Sequence, residues 1–145
     1  SIVIGAWLRH MTNRTLDITL PYLPPAMVWP NRAAGHHWAN SYNARTQLHT
    51  NIEILIAEHG WEGPPMNKAL ITLTFRCPSG RFDLDNALSA MKAAIDGLKP
   101  RILVDDNATR VAYNIRWERR KQEEVHIIVQ EEDNDCKNQS GGVCV

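Results

Sequence analysis

Two pairs of aspartates flank a short segment with helical periodicity. Asp83 and Asp85 lie in RFDLDN, and Asp105 and Asp106 lie in LVDDN. Carboxylates that repel one another are costly to bring together unless a cation lies among them, and oxygen-only sites of this kind suit Mg²⁺ or Mn²⁺. We therefore expect a divalent-metal site. The chemistry typical of such a site is phosphodiester hydrolysis, with the metal polarising phosphoryl oxygens and activating a water.

The segment between the two pairs is predicted to be an amphipathic helix that runs to about residue 98. Asp83 is expected to be the N-cap and Asp85 to lie in the first turn, where unpaired N–H groups favour anions. Ordinary capping explains Asp83 equally well, but it explains neither Asp85 nor the second pair. One apolar stripe is expected to face the core, and its members are Leu84, Leu88, Met91, Ile95 and Leu98.

Lys92 is the basic residue expected to serve this site. It follows Asp85 by seven residues, which places it about 20° short of two helical turns and about 10 Å further along the axis. We expect its side chain to lean back across that gap towards Asp85. There it would steady negative charge in the transition state.

The remaining patterns predict one α+β domain, a mixed β-sheet with two main helices packed on it, in the order β-α-β-α-β-β. The last two strands are expected to be antiparallel neighbours joined by a charged turn. We expect residues 1–15 to be an N-terminal extension, 16–131 the folded domain and 132–145 a disordered acidic tail. Strands are predicted at 16–20, 69–76, 102–104, 110–117 and 124–129, and the first long helix at 41–59, closed by Gly60.

Charge is unevenly distributed along a chain whose 16 basic and 16 acidic residues cancel. From residue 121 onward two Lys face six Asp and Glu, so residues 1–120 carry fourteen basic and ten acidic groups. A cation bound by the four aspartates would offset part of that acidity and leave a basic surface, as polyanion binding requires. A mixed, solvated surface is the alternative.

Membrane insertion and secretion are not indicated. The apolar segment 2–8 is too short to span a bilayer and lacks the flanking features of a secretory signal. The three cysteines are odd in number and have no closely spaced pair, so neither a disulfide framework nor structural zinc is expected. We expect a cytoplasmic protein without membrane contact.

The run 81–106, RFDLDNALSAMKAAIDGLKPRILVDD, resembles the signature of RusA-type Holliday junction resolvases (crossover junction endodeoxyribonucleases). In that family a D-x-D-N segment opens a helix, a lysine follows on it, and an Asp-Asp pair lies further along. The segments ITLPYLPP, PNRAAGHHW and VHIIV are similar to phage-type members, so the resemblance covers nearly all of 16–131, although only the acidic motif is specific. It implies a Mg²⁺-dependent, homodimeric endonuclease that nicks branched DNA, especially four-way junctions, in a bacterial or phage-infected host.

Carried over by position, the resemblance implies that Asp83, Asp85 and Asp106 are the metal ligands, with Asp105 as an alternate ligand. Lys92 completes the catalytic set.

One departure from the family pattern concerns the lysine. The best-known pattern has it four residues after the second acidic ligand, where this chain has Ser89. Lys92 matches a variant spacing of phage-type members, and Arg81 is the substitute candidate.

Basic and aromatic residues outside the motif are expected to contact DNA. Aromatic faces and Arg serve unpaired bases without strict sequence demands, and Tyr42 belongs to this class. For Trp38 a place in the core or at an interface is an equal alternative. Two-fold character in a four-way junction also favours a C2 homodimer. The candidate DNA-binding residues are Arg32, His37, Trp38, Arg81 and Arg110.

Two other classes of function stay open. An Asp-x-Asp with a later acidic residue also serves metal-dependent nucleotidyl- and glycosyltransferases, although the chain has no Gly-rich phosphate loop. The third class is a non-catalytic DNA-binding protein. In that case the carboxylates would cap a helix and pair with Arg81 or Arg101.

Overall fold

The computed structural model describes residues 13–31 and 38–132. The expected tail from 133 onward, most of the N-terminal extension, and Arg32, His36 and His37 lie outside the described residues. None of the helices in the described ranges combines the length and hydrophobicity needed to cross a bilayer. The element order is β1 (Thr15–Leu20), a 3₁₀ turn (Ala26–Val28), α1 (Trp38–His59), β2 (Ala69–Cys77), α2 (Leu84–Ala90), α3 (Lys92–Asp96), β3 (Val111–Arg119) and β4 (Glu124–Glu131).

The four strands form one mixed sheet in the order β1-β4-β2-β3, and the predicted α+β class is confirmed. β2 and β3 are parallel, with Ala69 opposite Val111 and Cys77 opposite Arg119. β4 runs antiparallel to both β1 and β2. The expected antiparallel pair of β3 and β4 is therefore wrong, because β2 lies between them.

The connection through α2 and α3 explains this order. A helical crossover brings the next strand parallel to the one before it, so β3 takes the free edge of β2. No residue of β3 is fully buried, and four of its nine residues, among them Arg116, are exposed, which suits an edge strand. β4 alternates buried and half-buried residues along most of its length and takes an interior position.

Alternating apolar residues of the sheet and one face of α1 form the core. In β2 every second residue from Ala69 to Cys77 is buried, as the period of two predicts. α1 buries Leu48, Ile52 and Ile56 against this face. Gly60, with a φ of 76°, ends α1 as predicted.

The helical segment after β2 differs from the prediction. It consists of two short helices that meet at Met91, whose N–H donates to the carbonyls of both Ala87 and Leu88 at 3.2 and 3.1 Å. Such a bifurcated bond marks a 3₁₀-like tightening of the turn. The buried face begins only at Ala87, so Leu84, with 48% of its surface exposed, does not belong to the core stripe.

The predicted strand at 102–104 is reduced to a single parallel bridge between Leu103 and Met66. Met66 N–H donates to the Ile102 carbonyl at 2.6 Å, and Val104 N–H donates to the Met66 carbonyl at 3.1 Å. The partner segment cannot extend the ladder towards its N-terminus, because Pro64, whose N–H would make the next bond of a parallel ladder, has no N–H group. Asp105 and Asp106 therefore follow a short bridge rather than a strand.

Candidate functional site

Asp83 and Asp85 lie where the chain enters α2. Asp83 is the N-cap residue, with an extended backbone (φ −82°, ψ 138°), and its carbonyl accepts the Ala87 N–H at 3.0 Å. Its side chain makes no capping hydrogen bond. The predicted position at the helix start is confirmed, while the capping role proposed for the carboxylate is not.

Both of these carboxylates are exposed and unpaired. Among residues 13–31 and 38–132, no hydrogen bond or ion pair joins the side chain of Asp83 or Asp85 to another group. The start of a helix favours negative charge, so the two aspartates are tolerated there without a partner. Their four oxygens stay available to a ligand from solution.

The turn that presents Asp83 is fixed by an aromatic side chain of β3. Trp117 donates its indole N–H to the Cys77 carbonyl at 3.3 Å. Its ring lies against Gly80, where an added Cβ would come within 2.8 Å of the ring. Only glycine allows this close approach of backbone and indole. The acidic end of α2 is therefore positioned by the sheet edge.

Asp106 is held by two lysines. Its Oδ2 accepts a hydrogen bond from Lys92 Nζ at 2.7 Å, and its Oδ1 accepts one from Lys99 Nζ at 3.0 Å. Lys92 Nζ also donates to Asp96 Oδ1 at 2.9 Å, and Lys99 Nζ lies 3.6 Å from that oxygen. The side chain of Asp106 is only 13% exposed, whereas that of Lys92 is 61% exposed. The result is a compact network of two cations and two carboxylates, with the Asp105 Oδ1 at its edge, 3.8 Å from Lys99 Nζ.

These contacts determine the protonation states in the network. The hydrogen bond from Lys92, supported by that from Lys99, lowers the pKa of Asp106 to about 2 against the opposing effect of burial. The hydrogen bonds to Asp106 and then Asp96 raise the pKa of Lys92 above its ordinary value. The hydrogen bond to Asp106 likewise raises the pKa of Lys99. Asp106 is therefore a carboxylate, and both lysines are cations, at neutral pH.

The direction of the Lys92 side chain corrects one expectation. The spacing predicts that Lys92 leans towards Asp85, but its ammonium group binds Asp96 and Asp106. Lys92 is the first residue of α3 rather than a position inside one continuous helix. The nearest carboxylates to its side chain are therefore the one a turn further on and the one in the loop after Leu103.

Lys99 is the residue of this network that sequence reasoning missed. It follows Lys92 by seven residues, the same spacing that separates Asp85 from Lys92. That repeated spacing was a usable signal, because two helical turns bring such residues to one side. It was hidden because the predicted helix ends at about residue 98, before Lys99, and because Pro100 follows directly.

Asp105 has a structural role in the loop. Its Oδ1 accepts the N–H of Asp106 at 2.8 Å, and its Oδ2 accepts the amide N–H of Asn107 at 2.9 Å. These bonds shape the turn in the way that Asx turns do. Both of its oxygens are engaged within the loop, and its place as an alternate metal ligand stays a prediction.

The expected metal ligands are not gathered into one group. Within the described part of the chain, no three His, Cys, Asp or Glu side chains lie close enough together to hold a metal ion. The donor set of Asp83, Asp85 and Asp106 nevertheless fits a hard cation, because all of its atoms are carboxylate oxygens. A carboxylate offers about four lone-pair sites, and the two lysines take two of those on Asp106.

Ser89 and Lys92 lie at the boundary of two cavities. One, of about 350 Å³, also contacts Asp106 and Tyr113, and the other, of about 410 Å³, lies between α1 and the segment of α2 and α3. Burial, followed by the charge of Asp106, raises the pKa of Tyr113. Ser89, the position at which the chain departs from the family pattern, thus lines the same space as Lys92.

The described DNA-binding candidates are on the surface. Trp38 has 74% of its surface exposed, so the core alternative for this residue is wrong. The Arg81 side chain is exposed and makes no hydrogen bond or ion pair within the described ranges, while its backbone N–H donates to Ser79 Oγ at 3.3 Å. Arg110 donates to the Asn67 carbonyl at 3.4 Å. Arg101 binds the carbonyls of Gly63 and Trp61 rather than an aspartate.

Neither a protein-family model nor a curated protein matches the sequence. The function is therefore argued from the residues and their geometry.

Proposed function

We propose that the protein is a Mg²⁺-dependent endodeoxyribonuclease, with Mn²⁺ as an alternative metal, that hydrolyses phosphodiester bonds in branched DNA. In this proposal it is a RusA-type resolvase that works as a homodimer in the cytoplasm of a bacterial or phage-infected host. The observation that carries the proposal is the state of the Asp83 and Asp85 side chains, which are exposed and make no hydrogen bond or ion pair with a described residue at the start of α2.

A purely structural explanation of the acidic residues finds little support. Asp83 does not cap α2 with its side chain, and Arg101 is engaged by backbone carbonyls. Arg81 forms no ion pair with a described residue. Two neighbouring carboxylates without a hydrogen-bond or ion-pair partner are available to a ligand, and their oxygens favour a divalent cation.

The metal would be held by Asp83, Asp85 and Asp106, and when bound it would polarise the phosphoryl oxygens and lower the pKa of an attacking water. Lys99 holds Asp106 as a charged acceptor from one side. Lys92 donates to the other oxygen of Asp106, and most of the Lys92 side chain is exposed. Its ammonium group can therefore turn to a phosphate and stabilise the negative charge that develops. Lys92 is the catalytic cation of the proposal.

The alternative functions are separated by one assay. A synthetic four-way junction and a linear duplex of the same sequence are incubated with the protein in Mg²⁺ or in chelator. The proposal predicts nicks in the junction alone, lost in chelator and in the Asp85→Asn variant. The exposed carboxylate of Glu123, in the turn between β3 and β4, gives a matched control, because Glu123→Gln should nick like the wild type.

Other results would refute the proposal in distinct ways. Turnover of nucleotides without nicking would indicate a transferase, and tight junction binding without Mg²⁺-dependent nicking would indicate a non-catalytic DNA-binding protein. Equal cleavage of duplex and junction would refute the selectivity for branches. A Lys92→Ala variant that cuts at the wild-type rate would remove Lys92 from the catalytic set.

A further inference from the structure

The cavity of about 410 Å³ beside Lys92 has a wall formed by the first half of α1. Tyr42, Arg45 and His49 line it from α1, and Ser89 and Lys92 line it from the opposite side. Residues three and four positions apart share a helix face, so the α1 residues form one continuous strip that leads to Lys92. Pockets that bind small ligands are of about this size or larger.

The wall carries a positively charged side chain and a buried polar atom that make no hydrogen bond or ion pair with a described residue. Within residues 13–31 and 38–132, Arg45 makes no hydrogen bond or ion pair. Asp96, the carboxylate of the cavity, is already paired with Lys92 at 2.9 Å. His49 Nε2 is buried and has no hydrogen-bond partner. Buried polar atoms normally have a partner, so this nitrogen is unsatisfied at the wall of a cavity where Arg45 and Lys92 outnumber Asp96.

The same wall begins with an aromatic surface. Tyr42 lines the cavity and has 62% of its surface exposed. Trp38 precedes it by one helical turn and is 74% exposed. Large exposed rings next to basic side chains are typical of surfaces that bind single-stranded nucleic acid, in which bases stack and phosphates pair with Arg or Lys.

We infer that this cavity, which we call the α1 groove, holds one unpaired nucleotide of a DNA strand. In the bound state the base stacks on Tyr42, Arg45 pairs with the phosphate, and the His49 ring turns so that Nε2 forms a hydrogen bond with the base or sugar. The inference rests on the proposed function for the identity of the strand as DNA. It adds a reason for selectivity, because strands open more readily at a branch point than inside an intact duplex.

Binding without cleavage tests this inference. Fluorescence anisotropy of labelled oligothymidine, measured in chelator at fixed salt, gives the Kd for single strands, and a linear duplex gives the reference. Loss of one stacked base should weaken single-strand binding between about 5- and 150-fold in Tyr42→Ala, with less than about a twofold change for the duplex. Tyr42→Phe keeps the ring and should bind like the wild type.

The matched control is Ile54→Ala. Ile54 is also on α1, has 48% of its surface exposed and lies outside the groove, so its loss should leave single-strand binding unchanged. Arg45→Ala should weaken binding and reduce the dependence of log Kd on log salt by about 0.7, the contribution of one phosphate contact on a single strand.

Two results would overturn the inference. One is a Tyr42→Ala variant whose single-strand affinity equals that of Ile54→Ala. The other is complete displacement of the labelled oligothymidine by free thymidine monophosphate at a concentration close to the Kd of the strand. That result would assign the groove to a free mononucleotide. Because cleavage is absent from the assay, a protein that fails to nick junctions but loses single-strand binding in Tyr42→Ala would refute the proposed nuclease and leave the α1 groove standing.

Discussion

Replacement of Asp106 by asparagine tests whether the two lysines stabilise the fold through this carboxylate. Asn keeps the shape of the side chain and removes its charge. The pKa of Asp106 is lowered from 3.8 to about 2, and a pKa change of one is equivalent to about 1.36 kcal/mol. Without solvent screening, the carboxylate would contribute roughly 2.4 kcal/mol to the free energy of unfolding. Lys92 is 61% exposed, so we expect about half of that value, ~1 kcal/mol.

The pH dependence of the free energy of unfolding shows whether the Asp106 carboxylate stabilises the native state. A carboxyl group with a lowered pKa in the native state binds fewer protons than in the unfolded chain, so its stabilisation is complete above a pH of about 4. It is lost as the pH falls towards 2, the native pKa of Asp106. Urea unfolding measured from pH 7 to pH 2 should therefore show a steeper loss of stability for the wild type than for Asp106→Asn, by ~1 kcal/mol over the acidic range.

Asp85→Asn is the matched control, because Asp85 makes no hydrogen bond or ion pair with a described residue. Its free energy of unfolding should stay within about 0.5 kcal/mol of the wild type at every pH. If the wild type and Asp106→Asn lost the same free energy between pH 5 and pH 2, the lysine network would not stabilise the native state. If Asp106→Asn and Asp85→Asn lowered the free energy of unfolding by the same amount at pH 7, the distinction between a carboxylate held by lysines and an unpaired one would be refuted.

Three further predictions follow from the site and its supports. Lys99→Met should lower the free energy of unfolding by about 0.5–1 kcal/mol and slow junction nicking, because Asp106 loses one of the two groups that hold it; nicking at the wild-type rate would make Lys99 purely structural. Gly97→Ala should cost about 1–3 kcal/mol in urea unfolding, since the new Cβ would lie 2.9 Å from the main chain of α1; an unchanged midpoint would contradict the close packing of α1 on α3. The solution mass measured by light scattering should be twice that of one chain, and a strict monomer that resolves junctions would refute the dimer.

The parts of the fold that depend on periodicity could be read from the sequence. The alternation in β2 and the spacing of Leu48, Ile52 and Ile56 in α1 each reflect burial on one side of a single element. Gly60 marks the end of α1 because a positive φ at that position favours glycine. Such local signals need no knowledge of the neighbouring elements.

The parts that depend on neighbours could not be read in this way. The insertion of β2 between β3 and β4 is decided by the crossover through α2 and α3, and two consecutive strands joined by a charged turn give no sign of it. The exposure of Leu84 depends on where the core ends. A periodic pattern assigns residues to a helix face but does not say how far that face is covered.

The candidate site shows the same difference between features that local sequence signals predict and features that depend on contacts with neighbouring elements. Helix-start chemistry located Asp83 and Asp85 correctly at the entrance to α2. The contacts of Lys92 depend on the break at Met91 and on the loop after Leu103, so its pairing with Asp106 could not be derived from a straight helix. The hydrogen bond from Lys99 to Asp106 depends on the same loop, because that loop carries Asp106.

Binding of Mn²⁺ measured by electron paramagnetic resonance tests the central claim most directly, that Asp83, Asp85 and Asp106 together hold one divalent cation. The titration is performed on the wild type and on the three Asp→Asn variants with an uncleaved junction present. We predict one Mn²⁺ per chain for the wild type and an affinity about tenfold or more weaker in each variant. Affinities for Asp83→Asn and Asp85→Asn that equal the wild-type value would contradict the claim.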